Sequence, residues 1–188
     1  MVVLSGSALF TVFFLYFLAE SNFAMRAENT TTLSSQGQSG DGLPVNIKIP
    51  SIHVDAPFEY VGLTPDGAMD VPKGPREVAW LNLGPRPGET GSSVIAGHYG
   101  WKSNIPAVFD NLHTLREGDE IYVENKEGTV VTFIVREIRM YNKDEDASEV
   151  FSSSDGKAHL NLVTCTGAWN KTEESYSDRL VVFADREL

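Results

Sequence analysis

The single cysteine of this chain, Cys165, stands in HLNLVTCTGAW, where Leu160, Leu162 and Thr164 alternate with Asn161, Val163 and Cys165 until Gly167 breaks the pattern. The alternation predicts a strand with the thiol at its end, beside a glycine-containing loop. His98 ends a second apolar run, GSSVIAGHYG, between Gly97 and Gly100, which allow a substrate close approach to the backbone. Arg179 opens the last apolar run, SDRLVVFADREL. A thiol beside an imidazole supplies a nucleophile and a proton shuttle, and acyl transfer needs in addition a donor for the developing oxyanion. Each residue also has an ordinary reading. Cys165 can be a small packed hydrophobe or half of an intermolecular disulfide, His98 a structural or surface imidazole, and Arg179 an edge-strand cation in water. His53, His113 and His159 read as a loop residue, a face of a short helix and a strand entrance.

For Arg179 to reach Cys165, the runs Leu160–Thr164 and Leu180–Ala184 must pair as a hairpin with Thr166–Asp178 as its loop. Further strands are predicted over Val45–Ile49, continued by Ile52–Val54, and over Ser93–Ala96, Glu120–Val123 and Thr129–Ile138. Pro65-Asp66-Gly67, Arg86-Pro87-Gly88, Glu117-Gly118-Asp119 and Glu127-Gly128 announce turns. Pro106–Leu115 is the one helical stretch expected in the domain, with Val108, Phe109 and Leu112 on one side. Short strands with little helix predict an all-β sandwich or barrel.

The N-terminal part differs. Val2–Ala19 is apolar and uncharged up to Glu20, close to the roughly 20 residues that a membrane helix needs and longer than the apolar core of a signal peptide. Residues 1–20 are therefore expected to form an uncleaved transmembrane anchor. The polar stretch that follows, clearest in NTTTLSSQGQSGDG, makes residues 21–42 a flexible tether and leaves residues 43–188 as one domain. A net charge of −11 without a basic cluster excludes a nucleic-acid partner. One cysteine excludes an intramolecular disulfide, and no C-x-x-C or H-x-x-x-H spacing suggests zinc or haem. Asp144, Glu145 and Asp146 are the one candidate calcium cluster and read as a solvated loop. No cofactor or metal site is assigned.

The strings VNIKIPSIHVDAP, VGLTPDGAMDVPKGP, GPRPGETGSSVIAGHYG, AVFDNLHTLREGDEIYV, LNLVTCTG and SYSDRLVVFA, in this order from about Leu43 to Phe183, resemble the sortases, and most the single-domain sortases of classes E and F. The resemblance implies an eight-stranded β-barrel with short helices. It also implies cleavage of a C-terminal L-P-x-T-G-type sorting motif after its Thr, with transfer of the acyl group to an amine. It carries the nucleophile onto Cys165 of Thr164-Cys165, the acid/base onto His98 of Gly97-His98, and the oxyanion-stabilising cation onto Arg179. Many class F members carry this Arg earlier, in a string like Y-R-D-N, where this chain has Tyr176-Ser177-Asp178-Arg179; the two-position displacement preserves the strand face. The implied protein is a single-pass membrane protein with an extracellular catalytic domain. Its implied partners are secreted proteins bearing a sorting motif, and an amine of the cell envelope or a pilin lysine. Two other readings stand beside it: a cysteine peptidase with water as acceptor, and a non-catalytic tethered binding module.

Overall fold

The computed structural model describes residues 42–187. The expected anchor and residues 21–41 of the expected tether lie outside the described residues. Eight strands form a closed barrel: β1 (Pro44–Ile49), β2 (Val54–Val61), β3 (Val78–Leu81), β4 (Gly91–Gly97), β5 (Glu120–Asn125), β6 (Val130–Asn142), β7 (Ala158–Asn170) and β8 (Ser175–Arg186). Around the barrel they run β1-β2-β3-β4-β7-β8-β6-β5. The β2/β3 and β4/β7 pairs are parallel and the rest antiparallel. This is the all-β barrel expected, and among the described residues no helix is long and apolar enough to cross a membrane.

Period-two alternation builds the interior. Leu160 and Leu162 of β7, Leu180 and Val182 of β8 and Ile95 of β4 point into one apolar core closed by Phe109 and Leu112. The alternate residues do not all face water. Val94, Val163, Val181 and Phe183 form a second apolar layer outside the barrel with Leu81, Tyr141 and Val150. This explains why all seven residues of β4 are buried. Val150 belongs to the single short α-helix among the described residues, α1 (Ser148–Phe151). Tyr141 donates to Glu149 at 2.8 Å, and Arg139 Nη1 reaches the same oxygen at 2.9 Å, so the helix is bound to β6.

Several expectations need correction. Ile52 does not continue the first strand. Pro50–Ile52 form a 3-10 turn, His53 takes a left-handed conformation at φ 56°, and β2 returns antiparallel to β1. Proline cannot donate to a ladder, so the strand stops there. Pro106–Leu115 is not a helix. Phe109 N–H is spent on the His98 carbonyl at 3.1 Å, and only Leu112–Thr114 winds into a 3-10 turn. Thr166–Asp178 is mostly strand, since β7 runs on to Asn170 and β8 begins at Ser175. A bulge between Thr166 and Trp169 lets the ribbon leave the barrel. At that bulge Gly167 has φ +84°, where a side chain would also strike Asp178 and Ser177.

Candidate active site

The β7–β8 ladder continues past the apolar core to Cys165↔Arg179. Residues directly opposite in an antiparallel pair share a face, so the thiol and the guanidinium emerge side by side, on the same outer face as Val163 and Val181. Cys165 is a free, half-buried thiol. Arg179 Nη1 donates to the carbonyls of Tyr176 at 3.0 Å and Asp178 at 2.9 Å. Its other nitrogens have no partner among the described residues. The cation is thus anchored by its own backbone, with donors left to face the cleft.

β4 lies parallel to β7 on its other edge, in register up to Ala96↔Val163. Two residues further along come Cys165 on β7 and His98 just past the end of β4, so parallel pairing carries both to the same end of the barrel. The His98 ring nitrogen Nε2 lies 2.7 Å from the Pro72 carbonyl, which can only accept, so Nε2 carries the proton and Nδ1 is the nitrogen open to exchange. Trp101 packs against the imidazole with centroids 4.6 Å apart. Asp110 fixes the loop after His98 by accepting from Gly100 N at 2.7 Å and Ala107 N at 2.9 Å.

Two cavities meet at His98, Cys165 and Arg179. The first, about 600 Å³, is an apolar groove. Leu63, Met69 and Val71 of the 63–71 hairpin and Ala147, Val150 and Phe151 in and before α1 contribute to it, with Ala96, Val163 and Val181 of the sheet. The Pro65-Asp66-Gly67 turn anticipated from sequence closes the hairpin, with Gly67 N–H bonded to Thr64 O at 2.9 Å and a bridge between Leu63 and Met69. The second, about 940 Å³, is aromatic and mixed in charge. Tyr99, Trp101, Trp169 and Tyr176 line it with Lys102, Asp110 and Glu174. Tyr176 stacks edge-on with Tyr99 at 5.5 Å and with Trp169 at 5.0 Å, so it joins the loop after His98 to the ribbon beyond Cys165. Burial, and then the charges of Tyr99, Cys165 and Asp110, push the Tyr176 hydroxyl above its ordinary pKa, keeping it neutral.

The structure therefore brings together His98, Cys165 and Arg179. It also supplies partners that sequence reasoning did not find. The Pro72 carbonyl, Asp110 and Tyr176 come from distant stretches, and only the position of Tyr176 three residues before Arg179 hinted at its place. Of the remaining histidines, His53 and His159 line neither of these cavities, and His113 borders a separate small cavity that also touches Cys165. His53 forms the 3-10 turn cap, His113 bonds to the Asp110 carbonyl, and His159 is buried between Asp155 and Asp185. No group of three or more His, Cys, Asp or Glu among the described residues is arranged to hold a metal ion. Asp144 pairs with Lys143, while Glu145 and Asp146 accept from the backbone of Asn142 and Ser148.

The Sortase domain family matches residues 47–187, which is the whole barrel after the start of β1. Solved structures similar to this chain include sortase C-1 from Actinomyces oris, with 28% identity, TM-score 0.61 and coverage of 76% of this chain and 73% of that one. A lid mutant of sortase A from Corynebacterium diphtheriae is 26% identical, with TM-score 0.62 and coverage of 78% and 70%. Sortase C from Clostridium perfringens SM101 is 26% identical, with TM-score 0.57 and coverage of 79% and 72%. No curated protein sequence matches the chain. A family match over most of the chain, on a barrel that gathers a lone thiol, an imidazole and a guanidinium at one end, means that this chain belongs to the sortase family of cysteine transpeptidases.

Proposed function

We propose that this chain is a membrane-tethered sortase that cleaves a sorting motif of the L-P-x-T-G type and joins its Thr carbonyl to an amine, with Cys165, His98 and Arg179 as the reacting groups. The observation that carries the proposal is the meeting of two unlike cavities at those three residues. A transpeptidase handles two substrates in turn at one sulfur. The apolar groove suits the residues before the scissile bond, and the aromatic cleft suits the incoming amine. A cation can rest on a ring face there, as Lys102 already does 5.8 Å from the Trp101 centroid.

The Cys165 thiolate attacks the Thr carbonyl, and the oxygen becomes an oxyanion beside the unpartnered donors of Arg179. His98, protonated at both nitrogens and held through Nε2, passes the Nδ1 proton to the glycine nitrogen as the C–N bond breaks. The leaving peptide departs as an amine, and a thioester remains on Cys165. The acceptor amine then attacks the thioester, Nδ1 takes its proton and the thiolate leaves. One amide is exchanged for another, with no oxidant or metal required.

The likeness to single-domain sortases of classes E and F, the anchoring segment 2–19 and the tether 21–42 belong to the same proposal, which places residues 43–188 outside the cell membrane. Secreted proteins with a sorting motif would be the donors, and an envelope amine or a pilin lysine the acceptor. The decisive experiment is mass spectrometry of residues 43–188 incubated with L-P-x-T-G-type peptides. An acyl adduct on Cys165 that disappears on adding a primary amine, and is absent in Cys165→Ala, is expected. A folded enzyme that forms no adduct with any such peptide would overturn the reading. Hydrolysis unaffected by added amines would make water the acceptor.

A further inference from the structure

The reacting groups are positioned by two different devices. Cys165 and Arg179 are a paired position of the β7–β8 ladder, so backbone hydrogen bonding sets their relation. The β4–β7 register instead ends at Ala96↔Val163, and His98 lies beyond the end of β4 at Gly97. Where that pairing stops, a side chain takes over. The buried Thr164 hydroxyl donates to the Gly97 carbonyl at 2.7 Å. The donor residue is covalently next to Cys165, and the acceptor oxygen belongs to the peptide unit whose nitrogen is that of His98. Because that unit is planar, holding its oxygen also orients the His98 nitrogen and Cα.

We propose that Thr164 is a positioning residue, whose hydroxyl sets the distance between the Cys165 sulfur and the His98 imidazole by clamping the end of β4 to β7. The proposal rests on the assignment of Cys165 and His98 as the reacting pair. The other restraints near His98, including the pairing of Gly97 with Val78 of β3, do not tie it to β7. Phe109 N–H holds its carbonyl at 3.1 Å and the Pro72 carbonyl holds Nε2 at 2.7 Å, but both belong to loops that flank the histidine and neither reaches the strand of the nucleophile. Without the hydroxyl, the Gly97 carbonyl loses its side-chain tie to β7, and the end of β4 is held by its pairing with Val78 of β3 and by the flanking loops. A displacement of about 1 Å between reacting groups costs on the order of 100-fold in rate.

Thr164→Val keeps the shape and removes the donor, whereas Thr164→Ser keeps the donor and removes a methyl. The two variants are compared with wild type by steady-state peptide cleavage, by the rate of Cys165 alkylation with iodoacetamide and by thermal melting. Thr164→Val is expected to lower kcat about 10- to 100-fold with KM little changed, and to alter the alkylation rate. Thr164→Ser is expected to retain both, even if its Tm falls as far as that of Thr164→Val. Wild-type kcat in a folded Thr164→Val, or losses of kcat that follow Tm in both variants, would overturn the proposal. If Thr164→Val does not fold, Thr164→Ser against Thr164→Ala decides: activity kept in Ser and lost in Ala supports the clamp, and equal loss refutes it. If wild type cleaves no sorting peptide, the transpeptidase reading falls. The alkylation comparison still decides the clamp, because an identical rate in all variants would refute it without any peptide substrate.

Discussion

Cys165 and Arg179 sit directly opposite each other across the β7–β8 ladder, and one guanidinium nitrogen, Nη1, is already committed to the carbonyls of Tyr176 and Asp178. The fork therefore splits its work: one arm anchors the side chain and the remaining donors are left uncommitted beside the cavities that Cys165 also lines. A lysine has a compact ammonium that cannot be anchored at one nitrogen and donate from another.

Arg179→Lys is accordingly expected to lose nearly as much turnover as Arg179→Ala. Loss of an oxyanion donor costs about 100- to 1000-fold in kcat in other acyl-transfer enzymes. Kinetics with one peptide beside a thermal melt provide the check. Near wild-type turnover in Arg179→Lys would reduce the residue to a general positive charge, and near wild-type turnover in Arg179→Ala would move the oxyanion role elsewhere.

Gly97 has no room for a side chain, because a Cβ there would overlap the fully buried ring of Phe109. The same Phe109 holds the His98 carbonyl through its N–H, so relief of the clash displaces the histidine. Gly97→Ala is expected to cost about 1–3 kcal/mol through overpacking and about 100-fold in kcat. Gly97→Ala combined with Phe109→Leu should regain part of both. No gain in the double variant would show that the ring is not what excludes the methyl.

The groove wall formed by α1 is held by the hydrogen bond from Tyr141 to Glu149, beside those from Arg139 to Glu149 and from Asn161 to the Val150 carbonyl. Burial, followed by the bond to Glu149, pushes the Tyr141 hydroxyl above its ordinary pKa, so it remains a donor throughout the neutral range. Tyr141→Phe is expected to destabilise by about 1 kcal/mol. It should also raise KM for the sorting peptide a few-fold with kcat unchanged, since α1 lines the groove proposed to hold that peptide. A fall in kcat at constant KM would place Tyr141 in the chemistry instead.

Asp155 caps the loop after α1. It accepts from His159 at 3.0 Å, Lys157 N at 3.0 Å and Ser153 at 2.9 Å, and the His159 bond is the foremost cause holding its carboxyl far below the ordinary aspartate value of 3.8. Below pH 3.8 the unfolded chain binds a proton that the folded chain does not. The stabilisation is therefore present above that pH and is lost as acid takes the pH down toward the folded pKa. Asp155→Asn should lower Tm at pH 5 and lose this difference progressively toward pH 2. A Tm difference constant from pH 5 to pH 2 would exclude the carboxylate as its source.

Where strands alternate and turns carry glycine, the sequence was enough. Leu160, Leu162 and Thr164 against Val163 and Cys165, or Pro65-Asp66-Gly67, declare their geometry locally because side-chain period and turn conformation are properties of a few consecutive residues. The candidate reacting residues were legible for the same reason, each closing or opening an apolar run. Strands β2 and β3 were not. Pro57 argues against a strand, and is tolerated because pairing with β3 begins only at Phe58, while Val78–Leu81 is buried along its whole length and shows no alternation. Likewise the outer layer of Val94, Val163 and Val181 turns would-be solvent positions into a second core only because α1 and the 63–71 hairpin fold over them. The meeting of His98 with Cys165 depends on β4 lying parallel beside β7, a pairing between strands far apart in the chain. Long-range register is set by the closure of the barrel, which is not encoded in any one stretch of residues.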